Sequence, residues 1–101
     1  MAIHLSCFVP KPREVAKHIV AQLLSRHAGL FEYRFLISEV YDTNEIENET
    51  AGEYGFAARC IFSIRLNDKS CADILPAVED VVKFALGPGN VLILFNSEIL
   101  R

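Results

Sequence analysis

The order of its periodic segments constrains the fold of this 101-residue chain more than any other feature. Alternation of apolar and polar residues is typical of half-buried strands, and apolar residues at a spacing of three and four are typical of amphipathic helices. Pro76 is tolerated only in the first turn of a helix, so the second helix begins near Asp73. The predicted elements are a strand over 3–9, a helix over 12–28, strands over 31–41 and 54–66, a helix from 73 to the turn at Gly87, and a strand over 90–95.

A strand, helix, strand, strand, helix, strand order folds most simply through short connections and right-handed crossovers. The sequence therefore predicts an α+β fold of the ferredoxin-like βαββαβ sandwich type, with a four-stranded antiparallel sheet in the order 4-1-3-2 and two helices on one face. The length of the chain predicts a single domain over residues 1–101.

Charge and composition narrow the classes of partner. The formal net charge is −3 and the sequence pI is about 5.5, which argues against a protein that binds nucleic acid or an anionic membrane surface. No segment is apolar over the length that a membrane span requires, and the N-terminus lacks the pattern of a secretory signal, so we expect a cytoplasmic protein. The three cysteines have no paired spacing, and we expect neither a metal nor a cofactor.

The segment 42–53 between the two middle strands is strongly acidic. It is predicted to be a long hairpin loop without lysine or arginine, either a solvated tip or an acidic finger that docks on a basic partner. Its acids lack the regular spacing of a calcium-binding loop. The candidate partner-binding residues are its five carboxylates, Asp42, Glu45, Glu47, Glu49 and Glu53.

A second candidate site is basic. Lys11, Arg13 and Lys17 lie at the start of the first helix, where the helix dipole favours a bound anion, although Pro10 and Pro12 remove amide donors there. Alternation along the strands is expected to place His4 beside Arg59 on the open face of the sheet. These four cations and His4 define an alternative ligand-binding site for an anionic metabolite, and His4 could serve as a general base there.

The last strand predicts a homodimer. In the order 4-1-3-2 this strand lies at an edge of the sheet, yet it contains no charge or proline that would prevent pairing with another chain. Leu92 and Leu94 would lie on the open face together with Phe8 and Ile61. These four residues are the candidate dimer interface, and a monomer whose own tail folds back over the strand is the alternative.

No nucleophile and base pair, metal cluster or glycine-rich phosphate loop is present in the sequence. The function that it favours is therefore a small non-enzymatic protein-binding domain of the inhibitor, immunity or adaptor type. Such a domain would present the acidic hairpin to a basic partner as a homodimer. The alternatives are a binding or sensing module for an anionic metabolite and a small dimeric ferredoxin-like enzyme that uses His4.

Overall fold

A computed structural model describes residues 4–31, 35–66, 74–87, 89–95 and 99–100. Of the positions used in the sequence predictions, Ile3, residues 32–34 of the predicted second strand, Cys71 and Asp73 lie outside these ranges. The elements are β1 (His4–Val9), α1 (Arg13–Arg26), α2 (Ala28–Phe31), β2 (Phe35–Ile37), β3 (Tyr41–Asp42), α3 (Glu45–Gly52), β4 (Cys60–Leu66), α4 (Leu75–Leu86), β5 (Leu92–Phe95) and β6 (Ile99–Leu100).

The strands form one antiparallel sheet in the order β2-β4-β1-β5-β6, and β3 also pairs with β4. Strand β1 lies inside the sheet, where Cys7 is opposite Phe62 of β4 and Ile93 of β5. The predicted α+β class and the antiparallel sheet are confirmed.

One face of the sheet forms the main core with α1 and α4. Alternate residues of β1 and β4, such as Leu5, Cys7 and Phe62, point to this side and are fully buried. Helix α1 contributes Ala16, Val20 and Leu23, which follow the helical spacing in the sequence, and α4 contributes Leu75, Val78, Val82 and Leu86. The position of Pro76 in the first turn of α4 agrees with the sequence prediction.

The middle of the chain differs from the predicted hairpin. The strand expected over 31–41 is interrupted: Phe31 ends α2, and among the described residues of this segment those of β2 and β3 pair with β4. Between them, the Ser38 side chain accepts a hydrogen bond from the amide of Ser63 at 2.8 Å, so a hydroxyl replaces a backbone partner there. The strand expected over 54–66 begins only at Cys60.

The segment 42–53 contains helix α3 where a long loop was predicted. The chain then passes over the second face of the sheet. There, Ala51, Phe8, Ile61, Leu92 and Leu94 form a smaller buried cluster, against which Phe56 and Ala58 pack. Within the described part of the chain, no helix has the length and apolar character needed to cross a membrane.

Candidate functional site

Helix α3 is fixed at its N-terminus by a capping box. The Asn44 side chain accepts a hydrogen bond from the amide of Glu47 at 2.8 Å, and Oε1 of Glu47 accepts one from the amide of Asn44 at 2.9 Å. Both bonds satisfy amides that the first turn of a helix leaves without partners. Glu45 and Glu47 also lie in this turn, where the helix dipole favours negative charge. The acidic segment therefore adopts a defined conformation.

The end of α3 is fixed by a turn that returns the chain to the sheet. Gly55 has φ of +70°, a conformation that glycine adopts without the steric cost of a Cβ atom. The amide of Phe56 then donates to the carbonyl of Ala51 at 3.1 Å. This turn brings Phe56 and Ala58 against Leu92 and Leu94 and explains why the second face of the sheet is covered.

The outer side of α3 carries a row of carboxylates. Glu45, Glu49 and Glu53 follow one another at intervals of four residues and are exposed. The amide of Glu53 donates to the carbonyl of Glu49 at 3.1 Å, so the helical path continues to the end of the row. Residues four apart on a helix lie on the same side, with Cβ atoms about 6 Å apart. We call Glu45, Glu49 and Glu53 the acidic row.

The inner side of α3 lines a groove against the sheet, with a volume of about 390 Å³. On the sheet side, the groove is lined by His4, Ser6, Phe8, Ile61 and Ser63. On the other side, it is lined by Tyr41 of β3 and by Ile46, Glu47 and Thr50 of α3. Its surface therefore combines apolar side chains with one carboxylate. We call it the α3 groove.

Glu47 is the best fixed of the five predicted carboxylates. Besides its bond to the Asn44 amide, it accepts a hydrogen bond at Oε2 from the hydroxyl of Tyr41 at 3.2 Å. Partial burial, followed by the charge of Glu47, raises the pKa of the Tyr41 phenol. Tyr41 therefore remains protonated at neutral pH and can donate this bond.

Asp42 interacts with Arg13 at the start of helix α1. Its carboxylate lies 3.9 Å from the guanidinium of Arg13, which also lies 3.6 Å from Glu14. Arg13, one of the three cations proposed to hold an anion, thus already lies within 4 Å of two carboxylates. The Cys60 thiol donates to the backbone carbonyl of Lys11 at 3.2 Å, and the exposed Lys17 lines another groove together with Glu39. The anion site at the start of α1 stays a prediction.

The sheet register separates His4 from Arg59, which were expected to be neighbours. His4 is opposite Arg65, whereas Arg59 precedes β4 and donates its amide to the carbonyl of Val9. Six residues along a strand correspond to about 20 Å. The predicted combination of a base and a cation on the open sheet is therefore not formed. Among the described residues, no three His, Cys, Asp or Glu side chains are arranged to hold a metal ion.

Comparison with known proteins decides among the remaining functions. The family model described as CDI System Immunity Component matches residues 1–99. The chain belongs to this family. It is 38% identical over 101 residues to Immunity protein CdiI-2 of Burkholderia pseudomallei (strain 1026b), and the match covers 100% of both chains.

A solved structure is similar over nearly the whole chain. It is described as a CdiA-CT/CdiI toxin and immunity complex from Burkholderia pseudomallei, and the matched chain has a TM-score of 0.95 at 37% identity. The match covers 99% of this chain and 97% of the other. The predicted function, a non-enzymatic binding protein of the immunity type, is confirmed by the family.

The predicted homodimer is wrong. The similar solved structure is a complex between an immunity protein and a different protein, a toxin. The four residues of the predicted dimer interface are also buried within this chain. At most 7% of the surface of Phe8, Ile61, Leu92 or Leu94 is exposed, because α3 and the segment after it cover them. Strand β5 is not an edge either, since β6 pairs with it.

The predicted sites lack five residues of the α3 groove: Ser6, Tyr41, Ile46, Thr50 and Ser63. Tyr41 and Ile46 are large side chains that remain 46% and 73% exposed. The available signal was Asn44 followed three residues later by Glu47, a capping-box pattern that predicts a helix start. With a helix there, Ile46 and Thr50 fall on one side at a spacing of four, and the acidic row falls on another.

The capping box of α3 leads to a first testable prediction. Asn44→Ala removes the acceptor for the Glu47 amide and should lower the free energy of unfolding by about 1 kcal/mol. Amide hydrogen exchange should accelerate within α3. Glu49→Ala on the same helix is the control: Glu49 is exposed, and we expect a change within about 0.5 kcal/mol because alanine favours the helix interior. Equal exchange rates in α3 of the two variants would show that the cap does not hold the helix.

Proposed function

We propose that this immunity protein binds a CdiA-CT toxin and that the acidic row of α3 is the part of its surface that meets a basic face of the toxin. The proposal is supported by the family and by the similar chain, which was solved as a complex with such a toxin. The observation that carries it is the placement of Glu45, Glu49 and Glu53 on the exposed side of one capped helix.

The acidic row is unfavourable for the free protein, which supports a role in binding. Like charges four residues apart on a helix repel each other and cost a few tenths of a kcal/mol per pair. Approach of a cationic surface relieves this repulsion and accelerates encounter. The helix holds the carboxylates in place before binding, so little conformational entropy is lost when the complex forms.

Two further properties of the protein are part of the proposal. We regard the fold as a ferredoxin-like sandwich in which β1, α1, β2 with β3, β4, α4 and β5 form the βαββαβ unit, with α3 and β6 added. We also place the protein in the cytoplasm, because Cys7 and Cys60 are buried as free thiols, which is typical of reducing compartments.

The test measures association and dissociation rates with the CdiA-CT toxin that this chain is proposed to bind. Replacing Glu45, Glu49 and Glu53 together by Gln should lower the association rate constant about 10-fold or more at low ionic strength. Because salt screens exposed charges, the difference should shrink markedly in about 1 M salt.

The matched control removes three carboxylates elsewhere on the surface: Glu14→Gln, Glu39→Gln and Asp80→Asn. Both triple variants change the formal net charge from −3 to 0. If the acidic row acts locally, the control should associate within about threefold of the natural rate. Equal slowing of both variants would show that only the net charge matters and would reject a local role of the acidic row in binding. If the natural protein does not bind the toxin, the proposed function itself is rejected.

A further inference from the structure

We propose that the α3 groove receives a single lysine or arginine side chain of the toxin and that Glu47 binds its charged group. This inference rests on the proposed function and specifies the chemistry of the partner. The acidic row and the α3 groove occupy two sides of the same helix, so a toxin that contacts one would lie next to the other. The structure assigns them different tasks.

Glu47 is prepared to accept a cation. Its two carboxylate oxygens are held by the Asn44 amide and the Tyr41 hydroxyl, and each oxygen has a second lone pair for another donor. Among the described residues, no lysine or arginine forms an ion pair with Glu47, although the carboxylate is half-buried. The segment 42–53 contains no lysine or arginine at all. The complementary charge is therefore expected from the partner.

The rest of the α3 groove suits the aliphatic part of the same side chain. Ile46, beside Glu47, is 73% exposed and provides apolar surface, while Phe8 and Ile61, which are 2% and 5% exposed, form the floor on the sheet side. Lysine and arginine pack their methylene groups on apolar surface while the charged group reaches a polar partner. Binding in this manner would also cover Ile46, the most exposed apolar side chain of α3.

The two sides of α3 are expected to affect binding kinetics differently. Exposed charges at the edge of an interface mainly change the association rate and its dependence on salt. A charge that is buried with its partner mainly changes the dissociation rate, because its removal leaves the other charge unpaired. The acidic row belongs to the first kind, and Glu47 in the α3 groove belongs to the second.

Glu47→Gln tests the inference in the intact protein. Glutamine keeps the size of the side chain, its oxygen can accept from the Asn44 amide as at this position of a capping box, and its amide group can donate to the Tyr41 hydroxyl, so the fold should be preserved. We expect the dissociation rate from the toxin to rise about 30-fold or more, with a smaller change in association. Glu39→Gln, on the surface away from α3, is the control and should change neither rate by more than about threefold. Glu45→Gln, in the acidic row, should slow association and change dissociation by less than about threefold.

The partner residue is found by changing each lysine and arginine of the toxin surface singly to methionine. One of these changes should raise the dissociation rate from the natural immunity protein strongly and have little further effect when Glu47→Gln is present. The other changes should act independently of Glu47→Gln. Thr50→Arg gives a second test, because an arginine three residues after Glu47 would occupy the α3 groove and should also raise the dissociation rate about 30-fold or more.

The inference is overturned if Glu47→Gln dissociates like Glu45→Gln, or if no lysine or arginine of the toxin is coupled to Glu47. Faster dissociation of Thr50→Arg without an effect of Glu47→Gln would mean that an apolar side chain occupies the α3 groove, which also contradicts it. In these cases the triple variant of the acidic row can still associate slowly. Failure of the groove inference is thus separable from failure of the proposed function.

Discussion

Leu94→Lys is expected to unfold the protein or to lower its free energy of unfolding by about 3–5 kcal/mol. Leu94 is fully buried on the second face of the sheet, opposite Ser6 of β1 and packed in the cluster with Ala51. A lysine there would place a charge among apolar side chains with no carboxylate in the cluster to pair with it. Since small domains are stable by only about 5–15 kcal/mol, a large part of the total would be lost.

Leu36→Lys is the matched control for this change. Leu36 is on the same face of the same sheet but is 54% exposed, and a lysine there would lie opposite Arg65, so we expect a loss of no more than about 1 kcal/mol. Urea unfolding followed by circular dichroism compares the two. If Leu94→Lys does not fold, Leu94→Ala provides a measurable loss of about 2–5 kcal/mol from the cavity that it leaves. Equal stability of the Leu94 and Leu36 variants would mean that α3 and the following segment do not cover the sheet.

The helices of the main core were predictable because local sequence and tertiary packing agree there. In α1, the apolar spacing of Val20 and Leu23 coincides with the side that faces the sheet. In α4, Pro76 marks the first turn in the sequence and in the structure. Such agreement between local preference and the global fold is what makes an element identifiable without a structure.

The prediction for the second face of the sheet was wrong for a physical reason. Alternation correctly places Leu92 and Leu94 away from the helices α1 and α4, but it does not show what covers that side. The cover comes from α3 and the turn at Gly55, in a segment whose many carboxylates suggested a solvated loop. Without that cover, two buried leucines resembled an interface with a second copy.

The candidate site was only partly predictable. The five acids of the segment 42–53 can be read from the sequence, but their different roles cannot. Asp42 lies near Arg13, Glu47 is fixed by Asn44 and Tyr41, and the other three form the acidic row. This division depends on the helical geometry of α3. The α3 groove also requires the position of α3 relative to β1 and β4, which local sequence does not contain.

Gly87→Ala is expected to destabilise the protein by about 2–3 kcal/mol. Gly87 ends α4 with φ of +97° and ψ of +137°, a conformation that residues with a Cβ atom rarely adopt. A Cβ atom there would lie 2.8 Å from Nδ2 of Asn90, so that side chain would have to move. The amide of Gly87 also donates to the carbonyl of Lys83, and its carbonyl accepts from the amide of Asn90, which fixes the connection to β5.

Gly52→Ala gives the opposite expectation and serves as the control. Gly52 is the last residue of α3, and a Cβ atom there would have no heavy atom within 4 Å outside its immediate surroundings, so alanine should stabilise the protein by about 0.5–1 kcal/mol. Chemical unfolding of both variants measures the two changes in the free energy of unfolding, which should have opposite signs. Because Gly87 is absent from the acidic row and from the lining of the α3 groove, folded Gly87→Ala protein should bind the toxin at the natural rates. Faster dissociation of Gly87→Ala from the toxin would mean that the connection between α4 and β5 contributes to toxin binding. Similar stability of Gly87→Ala and Gly52→Ala would contradict the strain at Gly87.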